Sequence, residues 1–333
     1  MRICEINDIA SVASELSRSL RARGHTVEFI QPRLIGGSLN WAVKPVVGPA
    51  RAVEWAHLIR KVRAGQFDVV HIHYAYLGML GVLGKFPYLL HCHGSDVREM
   101  TPYTRPMVEK ALAAAEHVFY ATPDLEDAVL RMRPGAEFLP NPVDAETFRP
   151  LAPASTSSRV FICSSLTDIK GAVRMLAACR ELARSRPEIR FTAIAGGEYT
   201  AQFAALANVR LIPHQPRANL PRILSDHGVV LGQAFLGAIG MAELEAMASA
   251  RPVVTWFRFD TAYPERPPLI RAVDGRDLAA AIVRLVDNPQ LRDDLGSRSR
   301  AWVQRYHGLD RAAEAVEAAA AAAIQHRSLG KTA

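Results

Sequence analysis

Arg2-Ile3-Cys4-Glu5-Ile6, then Ile9, Val12, Leu16 and Leu20 at helical spacing, then Thr26-Val27-Glu28-Phe29-Ile30: the chain opens as strand, helix, strand. Gly24, after Arg23, takes the position just past the helix, where a left-handed backbone costs least. The alternation continues, with strands predicted at 68–73, 87–92, 117–121 and 137–139 and helices near 48–64, 105–115 and 124–132. Most of these strands are unbroken apolar runs, such as Val69-Val70-His71-Ile72, and do not alternate polar with apolar. That pattern suits a parallel sheet covered by helices on both faces.

Residues 149–158, Arg-Pro-Leu-Ala-Pro-Ala-Ser-Thr-Ser-Ser, have no periodicity and read as a linker. A second strand–helix series follows, with strands predicted at 159–163, 190–195, 209–212, 229–231 and 253–255. The expected architecture is α/β, with two Rossmann-like doubly wound domains, 1–150 and 151–308, facing each other across a cleft. The Ala-rich segment 309–333 is a helix without a partner strand, expected to pack back on the first domain.

Length and composition agree with two soluble domains: 333 residues, 49% hydrophobic and 22% charged. The net charge of +7 is scattered, apart from Arg51, Arg60, Lys61 and Arg63. Without interleaved aromatics this points away from nucleic acid. The cluster suits a solvated helix face or contact with an anionic membrane surface. Cys4, Cys92, Cys163 and Cys179 lie far apart with no CxxC, so neither a disulfide framework nor a zinc site is expected. The N-terminus has no signal-peptide pattern, and 74–90 contains Lys85 and Pro87 and falls short of the roughly 20 apolar residues of a membrane span. The expected location is cytoplasmic, at most peripheral to the inner face of a membrane.

Chemistry concentrates in Gly237-Ala-Ile-Gly240-Met241-Ala-Glu243-Leu-Glu245-Ala-Met-Ala-Ser-Ala250-Arg-Pro-Val-Val254. A glycine-flanked loop opening a helix lets backbone N–H groups approach a pyrophosphate, and a carboxylate further along can hold ribose hydroxyls. The segment resembles the retaining GT-B glycosyltransferases of group 1, family 4 type. Glu245 matches that family's second signature glutamate, which binds the donor ribose; the first falls at Gly237, and Ala250 stands where the family has Gly. Gln233, at the end of a predicted strand, either takes over part of the missing glutamate's contact or bonds local backbone.

Other segments fit the same resemblance. In Ser164-Ser165-Leu-Thr-Asp-Ile-Lys170-Gly171, the last two residues match a Lys-Gly that clamps the donor diphosphate, while Ser165 replaces an Arg. Ala195-Gly-Gly197-Glu198 resembles a Gly-x-Gly loop, and Leu139-Pro-Asn141-Pro-Val-Asp144 a Pro-Asn-Gly-Val-Asp hinge. Met241 and Gly240 start the signature helix. In the first half, His93-Gly94-Ser95-Asp96 is similar to a His-Gly-x-Asp segment lining the reaction cleft. The resemblance implies that His93 bonds a sugar or acceptor hydroxyl and that Asp96 orients it, though Asp96 equally suits capping the next turn. His71 and His73 share a strand face without a carboxylate at ligand spacing, and read as core or cleft histidines.

The function implied is transfer of a sugar from a nucleotide-sugar donor to a hydroxyl of a sugar, lipid-linked or small-molecule acceptor, with retention. No cofactor is expected, and with no Asp-x-Asp in the chain no metal. The alternatives are a sugar-nucleotide-binding protein with a degenerate site, or an epimerase or hydrolase on the same fold.

Overall fold

The computed structural model describes residues 1–34, 44–151 and 158–330; most of the 149–158 stretch and the last residues of 309–333 lie outside them. The chain divides into one unit of Met1–Pro142 with Leu309–Ala333 and a second of Val143–Gly308.

The first unit is built on β1 (Arg2–Ile6), β2 (Thr26–Ile30), β3 (Val69–His73), β4 (Tyr88–Cys92), β5 (His117–Tyr120) and β6 (Glu137–Phe138). They form one sheet in the order β2-β1-β3-β4-β5-β6, every pairing parallel. Successive side chains alternate between its faces. Cys4, Ile6, Val70, Ile72, Leu90 and Cys92 pack on one face with Leu58 and Val62 of the helix Lys44–Ala64 and with Val108, Ala111 and Leu112 of the helix Arg105–Ala114. On the other face Ile3, Val69, Leu89 and Phe119 meet Leu16 and Leu20 of the helix Val12–Ala22 and the small side chains of the helix Leu309–Gly330. Ala312, Ala313, Val316 and Ala320 supply the buried stripe of this last helix, and Arg23 and His25 hold its Glu317 at 2.8 and 2.7 Å.

That second face is apolar only in the first half of each strand. Further along, Glu5, His71, His73 and His91 occupy it, all buried, because the register sets Glu5 beside His71 and His73 beside His91.

The second unit contains β7 (Arg159–Ile162), β8 (Arg190–Ile194), β9 (Val209–Ile212), β10 (Val229–Leu231), β11 (Val253–Thr255) and β12 (Ile270–Arg271). Their order is β12-β11-β10-β7-β8-β9, again all parallel. The strand β12 has no sequence-predicted counterpart: two residues paired with Val254 and Thr255 leave no apolar run to read. Strand order reverses between β7 and β10 here, and between β1 and β3 in the first unit. Ligands of open α/β sheets bind beyond the strand ends at such points.

The division at Pro142–Val143 precedes the sequence-based boundary at residue 150. Val143 N–H donates to His307 O at 2.8 Å, and Phe148 is fully buried with the Arg217 guanidinium 4.9 Å from its ring centre, so this stretch packs within the second unit.

Candidate active site

In the second unit the loops beyond β7 and β10 are bonded to each other. Ala234 N–H donates to Lys170 O at 2.8 Å, and Arg174 donates to Ala234 O at 2.7 Å. Gly171 has φ +79°, and a Cβ there would stand 2.7 Å from the Ala234 carbonyl carbon, so the approach needs glycine. The helix Ala172–Ser185 starts at this point and Lys170, partly exposed, precedes it. Ser164 and the exposed Ser165 lie earlier on the same loop, which is stitched to the β8 loop carrying Gly197 by Leu166 N–H to Gly196 O at 2.9 Å.

Gln233 is turned inward. Its amide nitrogen donates to Ala238 O and Trp256 O, both at 2.8 Å, and its amide oxygen accepts from Phe235 N at 2.9 Å and Leu236 N at 2.8 Å. At 1% exposure its amide is bonded to the backbone of the 233–238 loop and to Trp256 O, as in the local-backbone alternative. Glu243 is buried and accepts Gln233 N–H at 2.8 Å.

Gly240 caps the helix Met241–Ala248, and Met241 opens it, partly buried. Glu245, one turn in, is 4% exposed and paired with Arg217 at 2.6 Å. Burial, then Glu243 and Glu245, push the Cys163 thiol well up, while Lys170 pulls it down. Gly237, at the position of the absent glutamate, has φ +79°, and a Cβ there would meet Arg258 Cγ at 2.7 Å. A cation thus flanks the place where the family pattern has an anion.

In the first unit, Asp96 accepts from Ala75 N at 2.8 Å, Gly94 N at 2.6 Å and His93 N at 3.1 Å. It anchors the turn that carries His93, while the short helix Ser95–Arg98 has no side-chain cap; burial raises its pKa, against the pull of those N–H groups. His93 is partly exposed, and its Nε2 lies 2.9 Å from His73 Nδ1. The Nε2 of His73 is 2.8 Å from Glu5 Oε2. Sequence reasoning missed Glu5, although a glutamate inside an otherwise apolar strand was a signal: it is the carboxylate that His71 and His73 lacked along the chain. His71, His73 and His91 offer ring nitrogens within 4.8 Å of one another, a set able to hold a metal. Glu5 and His93 engage the two nitrogens of His73, Glu5 as acceptor. Beside the His93 turn, Asn7, Trp55, Tyr74, Tyr76, Ser95 and Met107 line a cavity of about 760 Å³.

Residues 9–147 match the profile Glycosyltransferase Family 4, and residues 174–318 match the profile Glycosyl transferase-like. Comparison with curated protein sequences found no match. Among solved structures the chain is similar to a sucrose-phosphate synthase from Thermosynechococcus elongatus, with 18% identity, 100% of each chain covered and a TM-score of 0.72. It is similar to Anabaena HepE in complex with UDP-glucose, with 13% identity over 95% of this chain and 98% of that one and a TM-score of 0.71. A third similar structure is the catalytic domain of starch synthase IV from Arabidopsis thaliana bound to ADP and acarbose, at 10% identity, 97% and 99% coverage and a TM-score of 0.68. With one glycosyltransferase profile over most of the first unit and another over most of the second, the chain is a GT-B glycosyltransferase of the group 1, family 4 type.

Proposed function

We propose that this glycosyltransferase takes its sugar from a nucleotide-sugar donor bound by the second unit and passes it to an acceptor hydroxyl, with retention and without a divalent cation. The observation carrying the reading is that the loop with Lys170 and Gly171 bonds the loop after β10, which is bonded in turn to Glu243 of the Met241–Ala248 helix that bears Glu245, at the point where strand order reverses. The UDP-glucose and ADP in similar structures are consistent with such a donor.

In this reading Ser164, Ser165, Gly197, Gly237 and Gly240 present backbone close to the donor, and Glu245 accepts its ribose hydroxyls. Lys170 and the two helix N-termini take up negative charge on the diphosphate as the glycosidic bond loosens. That supply of positive charge, with no Asp-x-Asp in the sequence, favours a cation-free reaction. Asp96 and Glu243 are committed to backbone N–H groups, so neither is placed as a covalent nucleophile. This supports attack by the acceptor on the face the phosphate leaves, the phosphate taking the acceptor proton.

The aromatic cavity of the first unit suits a sugar-bearing acceptor: Trp55 and Tyr76 stack at 6.2 Å, with Tyr74 edge-on to Tyr76 at 5.6 Å. The enzyme would act in the cytoplasm. No described helix is long and apolar enough to cross a membrane. In the basic cluster Lys61 pairs with Glu28 and Arg63 donates to Gly84 O, which favours a solvated helix face over a lipid surface.

The test is release of nucleoside diphosphate from UDP-, GDP- and ADP-sugars, with and without sugar acceptors and EDTA, and proton NMR of the product's anomeric centre. Acceptor-dependent release that survives EDTA and keeps the donor configuration supports the reading. An inverted product, a cation requirement, or consumption of donor with no acceptor overturns its corresponding part.

A further inference from the structure

We propose that the first unit carries a buried site for one transition-metal ion, zinc being the best match, held by His71, His73 and His91 with Glu5 behind two of these rings.

The sheet builds the site. The parallel register sets Glu5 beside His71 across β1 and β3, and His73 beside His91 across β3 and β4. Alternate residues of three strands thus deliver one carboxylate and three imidazoles to one face. Each ring offers a nitrogen, and the three lie within 4.8 Å of one another. Tetrahedral coordination at about 2.0–2.1 Å per nitrogen sets them about 3.3 Å apart, a change that ring rotation supplies without moving the strands.

The hydrogen bonds leave ring nitrogens over. His71 Nδ1 lies 3.1 Å and His73 Nε2 2.8 Å from Glu5 Oε2. A carboxylate orients metal-binding imidazoles in this way, through the nitrogen that does not bind the ion. Of the others, His71 Nε2 has no hydrogen-bond partner, and neither nitrogen of His91 has one. The Leu139 backbone acts on the His91 ring short of hydrogen-bond geometry. Buried polar atoms in folded proteins are seldom left so, and these rings are only 0% and 1% exposed.

The charge points the same way. Glu5 is 0% exposed, and among the described residues its ion-pair partners are imidazoles, with no lysine or arginine. A carboxylate enclosed like this calls for a positive charge. A proton on His73 would supply one, because that ring has Glu5 on one nitrogen and His93 Nε2, 2.9 Å away, on the other. It would leave His71 Nε2 and His91 unanswered. A dication bonded to all three rings supplies the charge and takes up their lone pairs together. Imidazole ligands select zinc, copper, nickel or iron over magnesium or calcium, and zinc accepts a tetrahedral set. His93 Nε2 is next in line for a fourth position; Asn141 also bonds that ring. Such an ion is structural, tying β3 to β4 at the root of the turn that carries His93. The charge of the donor diphosphate stays assigned to Lys170 in the second unit.

The experiment is elemental analysis of the full chain, purified without a histidine tag, as isolated and after incubation with zinc chloride, followed by zinc X-ray absorption spectroscopy. The expected result is about one zinc per chain, bound by three or four imidazole nitrogens at about 2.0–2.1 Å. His91→Phe, which keeps a ring beside Phe119, should bind zinc about 100-fold more weakly or worse, and Glu5→Gln about 10–100-fold more weakly, in competition with a chromophoric chelator. Circular dichroism checks that both variants fold. No zinc as isolated and none taken up, two or fewer imidazoles around the ion, or equal affinity in the parent and His91→Phe overturns the proposal. The absorption spectrum of the parent decides even where a variant does not fold.

Discussion

The Nε of Arg217 lies 2.6 Å from Oε1 of Glu245, and the same guanidinium sits 4.9 Å from the centre of the Phe148 ring. The carboxylate assigned to the donor ribose is thus buried and compensated by a residue 28 positions away in sequence. Arg217→Ala leaves that charge short of a partner and is expected to destabilise the second unit by about 1–3 kcal/mol. In a double-mutant cycle with Glu245→Gln, urea denaturation should return a coupling of about 0.5 kcal/mol or more. Additive losses would show that the pair does not hold in solution.

Ala250, just after the Met241–Ala248 helix, has φ +53°. A Cβ in that region costs about 1–2 kcal/mol, of which glycine's extra unfolded-state freedom returns roughly half to all. Ala250→Gly is expected to raise stability by about 0.5 kcal/mol, measured as a higher Tm. A lower Tm would mean that the helix does not end in this conformation.

Gly237→Glu restores the residue type of the family signature and is expected to bring no gain. The backbone has φ +79° and Arg258 fills the side-chain space, so a loss of about 1–2 kcal/mol is predicted from calorimetry. A stable variant with faster turnover would show that the loop reorganises around a glutamate.

Glu317 gives a pH dependence. Its hydrogen bond from Arg23, opposed by burial and helped by His25, lowers its pKa from 4.5 to about 2. A folded-state pKa below the unfolded one means stability that is present above the unfolded value and lost as pH falls toward the folded one. The difference between the parent and Glu317→Gln, within about 1 kcal/mol for such a surface pair, should hold near neutral pH and vanish between about pH 4.5 and 2. A difference that grows on acidification would contradict the pairing.

The strand sequence was legible because parallel strands buried on both faces leave unbroken runs such as Val69–Ile72 and Val229–Leu231. The strand β12 was not, since its two residues pair at a sheet edge. At the site, Lys170-Gly171 and Glu245 stood out by motif. Glu5, Arg217 and Arg258 did not, because each acts on a residue distant in sequence: register sets Glu5 against His71, and a turn after β9 brings Arg217 to Glu245. For Gln233 the sequence left two readings open, because a polar residue at a strand end suits a ligand contact and a bond to the following loop equally, and only the fold shows the latter bonds.

Nucleotide-sugar recognition by the second unit is tested most directly by thermal shift with UDP-, GDP- and ADP-sugars on the parent protein, Lys170→Ala and Glu245→Ala. A donor at about 100 times its Kd should stabilise the parent by about 2.7 kcal/mol. The account predicts that one nucleotide class raises the Tm of the parent and that both substitutions remove most of the rise. Equal shifts in all three proteins, or none with any nucleotide sugar, would contradict it.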